Sequence, residues 1–295
     1  MLGFLREVPY MKSSKFSKWT KVACGATATM IAAAVPVLAQ ARGTIPAAAT
    51  ASAPTGSTPT FTGAARWADS VRRLIEPAQL RGDERALREA IALAERALAV
   101  TPNEPTLLHY KGYALYRLGA LLIGPRNGEA KETLEEADRA LEASAARLPW
   151  PETFALRSAV LGQIIGASGG GAILSMRLGM RSSSLMDRAV ELGPENPRVW
   201  ALRSSGELFK PELVGGGAEN ATKSAQRAVA LLARDRPDGL RPAWGAIDAY
   251  LWLGQAHASA GRTAEARAAY QQVLTLAPDH GWVKRQLLPA LDRTK

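Results

Sequence analysis

The sequence predicts an all-α solenoid of about five antiparallel helical hairpins, with insertions inside some hairpins and a capping helix at the C-terminal end. Three observations carry this. From Phe61 onward the apolar residues recur with a helical period. Small residues stand at fixed offsets from large apolar ones, as two closely packed antiparallel helices require. Pro102, Pro149, Pro194 and Pro278 close four of the five units, because proline lacks the N–H that would continue a helix.

Ahead of the array, Met1 to Ala41 has the three parts of an export signal. Lys12, Lys15, Lys18 and Lys21 form its basic start, Val22 to Leu38 its apolar run, and Ala39-Gln40-Ala41 a small-x-small cleavage site. The run is short and only weakly hydrophobic for a stable span. The expected organisation is a cleavable leader at 1–41, an Ala/Thr/Pro-rich disordered spacer at 42–63 and a solenoid at 64–295. An exported protein, periplasmic or secreted, follows. Of the net charge of +10, the leader's cations against Glu7 account for +4. The remainder is Arg interleaved with Glu and Asp, which suits solvated helix faces and not a nucleic-acid track. Cys24 is the only cysteine and lies in the leader, and the three histidines have no zinc-site spacing. No metal and no cofactor are expected.

The first hairpin begins with a helix from Ala65 to Gln79 that places Trp67, Val71 and Leu74 on one side. Asp83 caps the second helix, whose apolar face is Leu87, Ala90, Ile91, Ala94, Ala97 and Leu98. The second hairpin starts at Pro105 and pairs Gly112 with Ala137, 25 positions on. That interval predicts an insertion from Leu122 through Gly128 and a Glu-rich turn. The third runs from Glu152 to Pro194, with an expected insertion over Gly166 to Arg181. Ser184 and Asp187 read there as a capping box starting a helix. The fourth carries Trp200, Ser204 and Glu207, then Ala221, Ala225 and Ala228, around an insertion at Lys210 to Gly217. Arg234 to Trp244 is a Pro/Gly/Arg connector.

The fifth hairpin, DAYLWLGQAHASAGRTAEARAAYQQVLTLAP over Asp248 to Pro278, shows the pattern most completely. It resembles the tetratricopeptide repeat W-x₂-L-G-x₂-Y…A-x₃-F…P. Tyr250, Leu253-Gly254, His257, Ala266, Tyr270 and Pro278 take its slots, with 12 positions between Gly254 and Ala266. Trp282 to Leu291 is the amphipathic helix that would cap the open end. The segments 181–202, 211–217, 242–254 and 282–291 make the chain resemble uncharacterised exported bacterial tetratricopeptide proteins. Periplasmic tetratricopeptide proteins of tripartite transporters are a more distant likeness.

The resemblance implies a right-handed superhelix whose first helices line a concave groove. By register the partner-binding side chains there are His109, Tyr113, Tyr116, Arg198, Phe209, Asp248 and Gln255. The Lys/Asn clamp of chaperone-binding relatives is absent from the matching slots. Arg177 and Arg181, before Ser182 to Ser184, read as an anion contact at a helix start. Gly166 to Gly171 lacks the Lys-Ser/Thr of a phosphate loop, and no catalytic dyad is spaced for chemistry. The expected function is a non-enzymatic scaffold for a protein or peptide, with no nucleic acid and no stable membrane span once the leader is cut. The alternative is a subunit for a small hydrophobic ligand, associated with a transport system, if Ala120–Ile123 and Ala172–Met180 close the groove.

Overall fold

The computed structural model describes residues 63–169 and 171–293. The leader at 1–41 and the spacer, save Gly63, lie outside the described residues. Among those described there is no strand. Five hairpins follow one another: α1 (Ala64–Arg81) with α2 (Glu84–Val100), α3 (Pro105–Leu122) with α4 (Asn127–Ala145), and α5 (Pro151–Ala167) with α6 (Ala172–Leu192). Then come α7 (Pro197–Phe209) with α8 (Ala218–Leu232) and α9 (Ala246–Ser259) with α10 (Thr263–Leu276). The first helices α1, α3, α5, α7 and α9 touch in series and form the inner layer. The all-α superhelix stands.

The hairpins close at small residues. Gly254 sits where any Cβ would overlap the Tyr270 ring, and Gly261 makes the turn at φ +75°. At Gly112 an added Cβ would lie 2.5 Å from Leu141, and at Gly119 2.6 Å from Leu134. In the third and fourth hairpins serine replaces glycine and bonds across the gap. Ser182 donates to the Ser158 carbonyl at 3.0 Å, and Ser204 donates to the Ala221 carbonyl at 2.8 Å.

The expected insertions in the second and third hairpins are not loops. Gly112 and Gly119 stand seven residues apart in α3, and both meet leucines of α4, so one contact line runs on through two extra helical turns. Residues 129–136 are rich in Glu, Lys, Ala and Leu, which lose little on entering a helix. The connection is only 123–126. Likewise Ala172 to Arg181 is the first half of α6, and Ser184 lies in its interior, so no helix starts there. Between Lys210 and Gly217 the insertion is real, a 3₁₀ turn over Glu212–Val214.

The chain therefore has a step. The second and third hairpins are tall, the fourth and fifth of ordinary height. Asp83 caps α2 as expected, accepting from the Ala86 N–H at 3.0 Å. In α1 the buried face is Ala68, Val71, Ile75 and Ala78, whereas Trp67 and Leu74 face outward. After α10 a π-helical turn, Val283–Leu287, runs into α11 (Leu288–Asp292). Pro289 supplies the cause, since it has no N–H for the preceding turn's carbonyl.

Gly254→Ala would force the Tyr270 ring out of its place. A loss of about 1–3 kcal/mol is expected in urea unfolding, smaller when Tyr270→Leu accompanies it. Equal loss in both backgrounds would contradict the contact.

Candidate functional site

The inner layer is where partner contacts were expected, and half of it is already occupied by the chain itself. The connector between α8 and α9 turns back over α3. The Tyr110 hydroxyl donates to the Leu240 carbonyl at 2.6 Å, across 130 residues of sequence. Trp244 stacks on Tyr113 with ring centroids 4.9 Å apart and planes 14° from parallel. It thereby joins the apolar core of the first three hairpins. On one side the connector is pinned by Arg198, which donates to both Asp235 oxygens at 2.9 and 2.6 Å. Gly245, at φ +110°, lets the backbone lie against the Arg198 side chain.

On the other side lies a buried ion pair. Arg117 of α3 donates to Asp248 of α9 at 2.6 Å, joining the second hairpin to the fifth. The same guanidinium donates to the Tyr113 hydroxyl at 3.0 Å and lies 5.0–5.9 Å from the ring centroids of Tyr113, Tyr116 and Trp244. Burial disfavours its charge, but Asp248 and the two tyrosines hold Arg117 above its ordinary value. Burial pushes the Tyr113 hydroxyl up, so it stays protonated. A cavity of about 260 Å³ remains at the margin, lined by Arg72, Arg73, Glu76, Pro77, Tyr113, Ala243 and Trp244.

The register placed the expected residues on the inward face, yet as open groove surface most need correction. Tyr113 is 2% exposed, and Tyr116, Arg198 and Asp248 are buried with it. His109 is fully buried, sharing a hydrogen bond of 2.8 Å between Nδ1 and the Thr153 hydroxyl. Burial lowers it to about 3, so it is neutral. Gln255 is half-buried and accepts from the Tyr270 hydroxyl at 3.3 Å. Phe209 alone of the set is well exposed, at 63%, with its ring edge-on to Trp252 at 6.4 Å.

As an anion contact at a helix start, the pair Arg177 and Arg181 is also corrected. Both stand inside α6, not at its start. Arg181 is engaged by the protein's own carboxylates, Asp138 at 3.0 Å and Glu142 at 3.1 Å. Sequence reasoning missed Trp244, Arg117 and Trp252. A tryptophan inside a Pro/Gly connector was the available signal, because such a segment seldom keeps a large ring without a place to bury it.

A tetratricopeptide repeat family model matches residues 247–280, the window in which Gly254 meets Tyr270. A thermophilic tetratricopeptide protein of Thermus thermophilus is similar in structure over 76% of this chain and 98% of its own, at 21% identity and a TM-score of 0.52. The chain carries a tetratricopeptide repeat at residues 247–280, in an array with the fold of tetratricopeptide proteins. The HusA haemophore from Porphyromonas gingivalis is similar over 65% of this chain and 93% of its own, at 21% identity and a TM-score of 0.53. At that identity both likenesses speak for the tetratricopeptide array's fold alone. No curated protein matches the sequence. The fold is one that suits protein-interaction scaffolds.

Two outcomes test this interior. Arg117→Met leaves Asp248 buried and unpaired and is expected to cost about 3–5 kcal/mol, most of it recovered by adding Asp248→Leu. Stability should also fall with pH below about 6.5. The unfolded state binds a proton at His109 that the folded state refuses until about 3, a slope of up to about 1.4 kcal/mol per pH unit. His109→Gln should flatten that slope in urea titrations across this range.

Proposed function

We propose that the chain is an exported, non-enzymatic scaffold that holds a protein or peptide segment on the part of its inner face that the connector leaves open. One observation carries this reading. The connector closes the face over α3 and the starts of α7 and α9, while Ala159 and Gly162 of α5, Ser205 and Phe209 of α7 and Gln255 of α9 keep solvent access. Ala159 and Gly162 of α5 and Ser205 of α7 present almost no side chain, and nothing lies within 4 Å of where a Gly162 Cβ would stand. A backbone can approach such a surface closely. Trp252 backs Phe209 from α9, which gives the strip an aromatic anchor of the kind that dominates binding energy.

Of the expected groove set, Phe209 and Gln255 remain as contacts. Tyr113, Tyr116, Arg198 and Asp248 act one layer below, shaping the strip by holding the connector. Export rests on the Lys-rich start, the apolar run and Ala39-Gln40-Ala41. The alternative of a closed ligand groove has lost its support, because Ala120–Leu122 and Ala172–Met180 are helical turns and not walls across the groove.

A photocrosslinking residue at Phe209 or at Gln255, in the producing cell, should capture one dominant protein outside the cytoplasm. The same residue at Tyr113 should not. Phe209→Asp should abolish the capture made from position 255. Absence of any product from both positions would remove the reading, and intact mass of the recovered protein, expected to begin at Arg42, checks export separately.

A further inference from the structure

α6 carries a feature that its packing does not explain. Five of the ten exposed large apolar side chains among the described residues gather on its first half and on the neighbouring 3₁₀ turn. Ile173 is 81% exposed, Met176 and Met180 62% each, Leu213 97% and Val214 61%. Both segments are the turn ends of successive hairpins and so lie at the same end of the array, and Lys210 Nζ donates to the mid-helix Ser183 hydroxyl at 3.1 Å. Ile173, Met176 and Met180 form one helical stripe, spaced i, i+3, i+7, on the side of α6 away from α5.

The neighbouring hairpins act as internal controls. Aligned on the close helix contacts, the corresponding positions of α4 hold Gly128, Lys131 and Glu135, and α8 holds Glu219 where α6 holds Met180. At the position of Met180 both neighbouring helices carry a glutamate. A second contrast concerns charge. α2, α4, α8 and α10 each have a glutamate in the first turn, Glu84, Glu129, Glu219 and Glu265. α6 has none, and no side chain caps it. Its positive end therefore stays uncompensated, with three or four backbone N–H groups unclaimed by the helix. From Thr153 to Met186 the sequence contains no carboxylate at all. Arg177 and Lys210 flank the apolar stripe, against the single carboxylate of Glu212 on the 3₁₀ turn, while Arg181 is spent on Asp138 and Glu142.

We propose that this end of the array docks on an anionic phospholipid membrane surface, inserting Ile173, Met176, Leu213 and Val214 among the acyl chains while Arg177, Lys210 and the start of α6 meet the phosphates. The combination of exposed aliphatic tips, flanking cations and a free helix start is that of a peripheral anchor. It differs from a span, and no described helix is long and apolar enough to cross a membrane. A second copy of the chain fits less well, because it would bring the same excess of cations to both sides of the contact. A phospholipid surface pairs them instead. The proposal stands apart from the scaffold reading and does not need it.

The test uses the purified chain in a Cys24→Ser background, with single cysteines at Ile173→Cys, Leu213→Cys and, as control, Lys131→Cys, each labelled with a polarity-sensitive nitrobenzoxadiazole dye. Vesicles of phosphatidylcholine containing phosphatidylglycerol should shift the emission of labels at 173 and 213 to the blue, with several-fold brightening, and leave the label at 131 unchanged. Arg177→Glu, with an unaltered helical circular dichroism spectrum, should weaken vesicle binding by at least about tenfold, and high salt should weaken it as well. The control position separates docking of this end from any attachment through the leader. Unmoved labels at 173 and 213, an equal shift at 131, or salt-insensitive binding to phosphatidylcholine alone would each overturn the proposal. So would a shift at 173 and 213 that follows protein concentration without vesicles, which would assign the surface to a second copy.

Discussion

Everything in this array depends on how closely two antiparallel helices approach at one small residue. Gly112, Gly119 and Gly254 let a leucine or tyrosine of the partner helix occupy the space a side chain would take. Ser158 and Ser204 do the same work differently, each taking part in a hydrogen bond that crosses to the second helix. The contact sets which residues face each other but leaves hairpin height free. Two turns can be added to both helices without disturbing the register, as α3 with α4 and α5 with α6 show. Hairpins of unequal height can then stand side by side, and the step after the third hairpin follows from that freedom.

The second constraint is the latch between the second and fifth hairpins. Arg117 and Asp248 are buried together, and such a pair returns little net stability for its desolvation. Its value lies in what each member forbids. Arg117 without Asp248 is a buried unpaired cation, so any arrangement that separates α3 from α9 is penalised heavily. Trp244 and the Tyr110–Leu240 bond add apolar and polar contact to the same closure. The curvature of the inner layer is thereby held, and the tyrosines that would otherwise line an open groove become its floor.

Much of the fold was legible because it is local. The run from Asp248 to Pro278 places every constrained position within one hairpin, and the Asp83 cap lies three residues from the N–H it satisfies. The tall hairpins were misread for the opposite reason. Gly124-Pro125-Arg126-Asn127-Gly128 has loop composition, and only the pairing of Gly119 with Leu134, across the turn, reveals that both helices have already resumed. Ser184 and Asp187 match a capping box by spacing, but that spacing also occurs on any exposed helical face. For the candidate site, register named positions on the first helices but not their burial. It could not show that a connector more than a hundred residues away in sequence fills the space in front of Tyr110 and Tyr113.

Height and closure together decide which surfaces remain for other molecules. The latch removes the inner face over α3, so what stays open of the inner layer is a strip beside Phe209, which stands at the end of a short helix. The step gives the convex side an unequal edge. In a uniform array the outward face of a second helix is dressed with charge, as Lys131 and Glu135 dress α4. α6 departs from that rule over its first half only, and returns to it at Asp187 and Arg188. A departure confined to the end of one helix, continued by Leu213 and Val214 on the next turn, is hard to ascribe to folding, since none of these side chains is buried by it. Exposed apolar surface that stabilises nothing within the chain is retained for contact with something outside it.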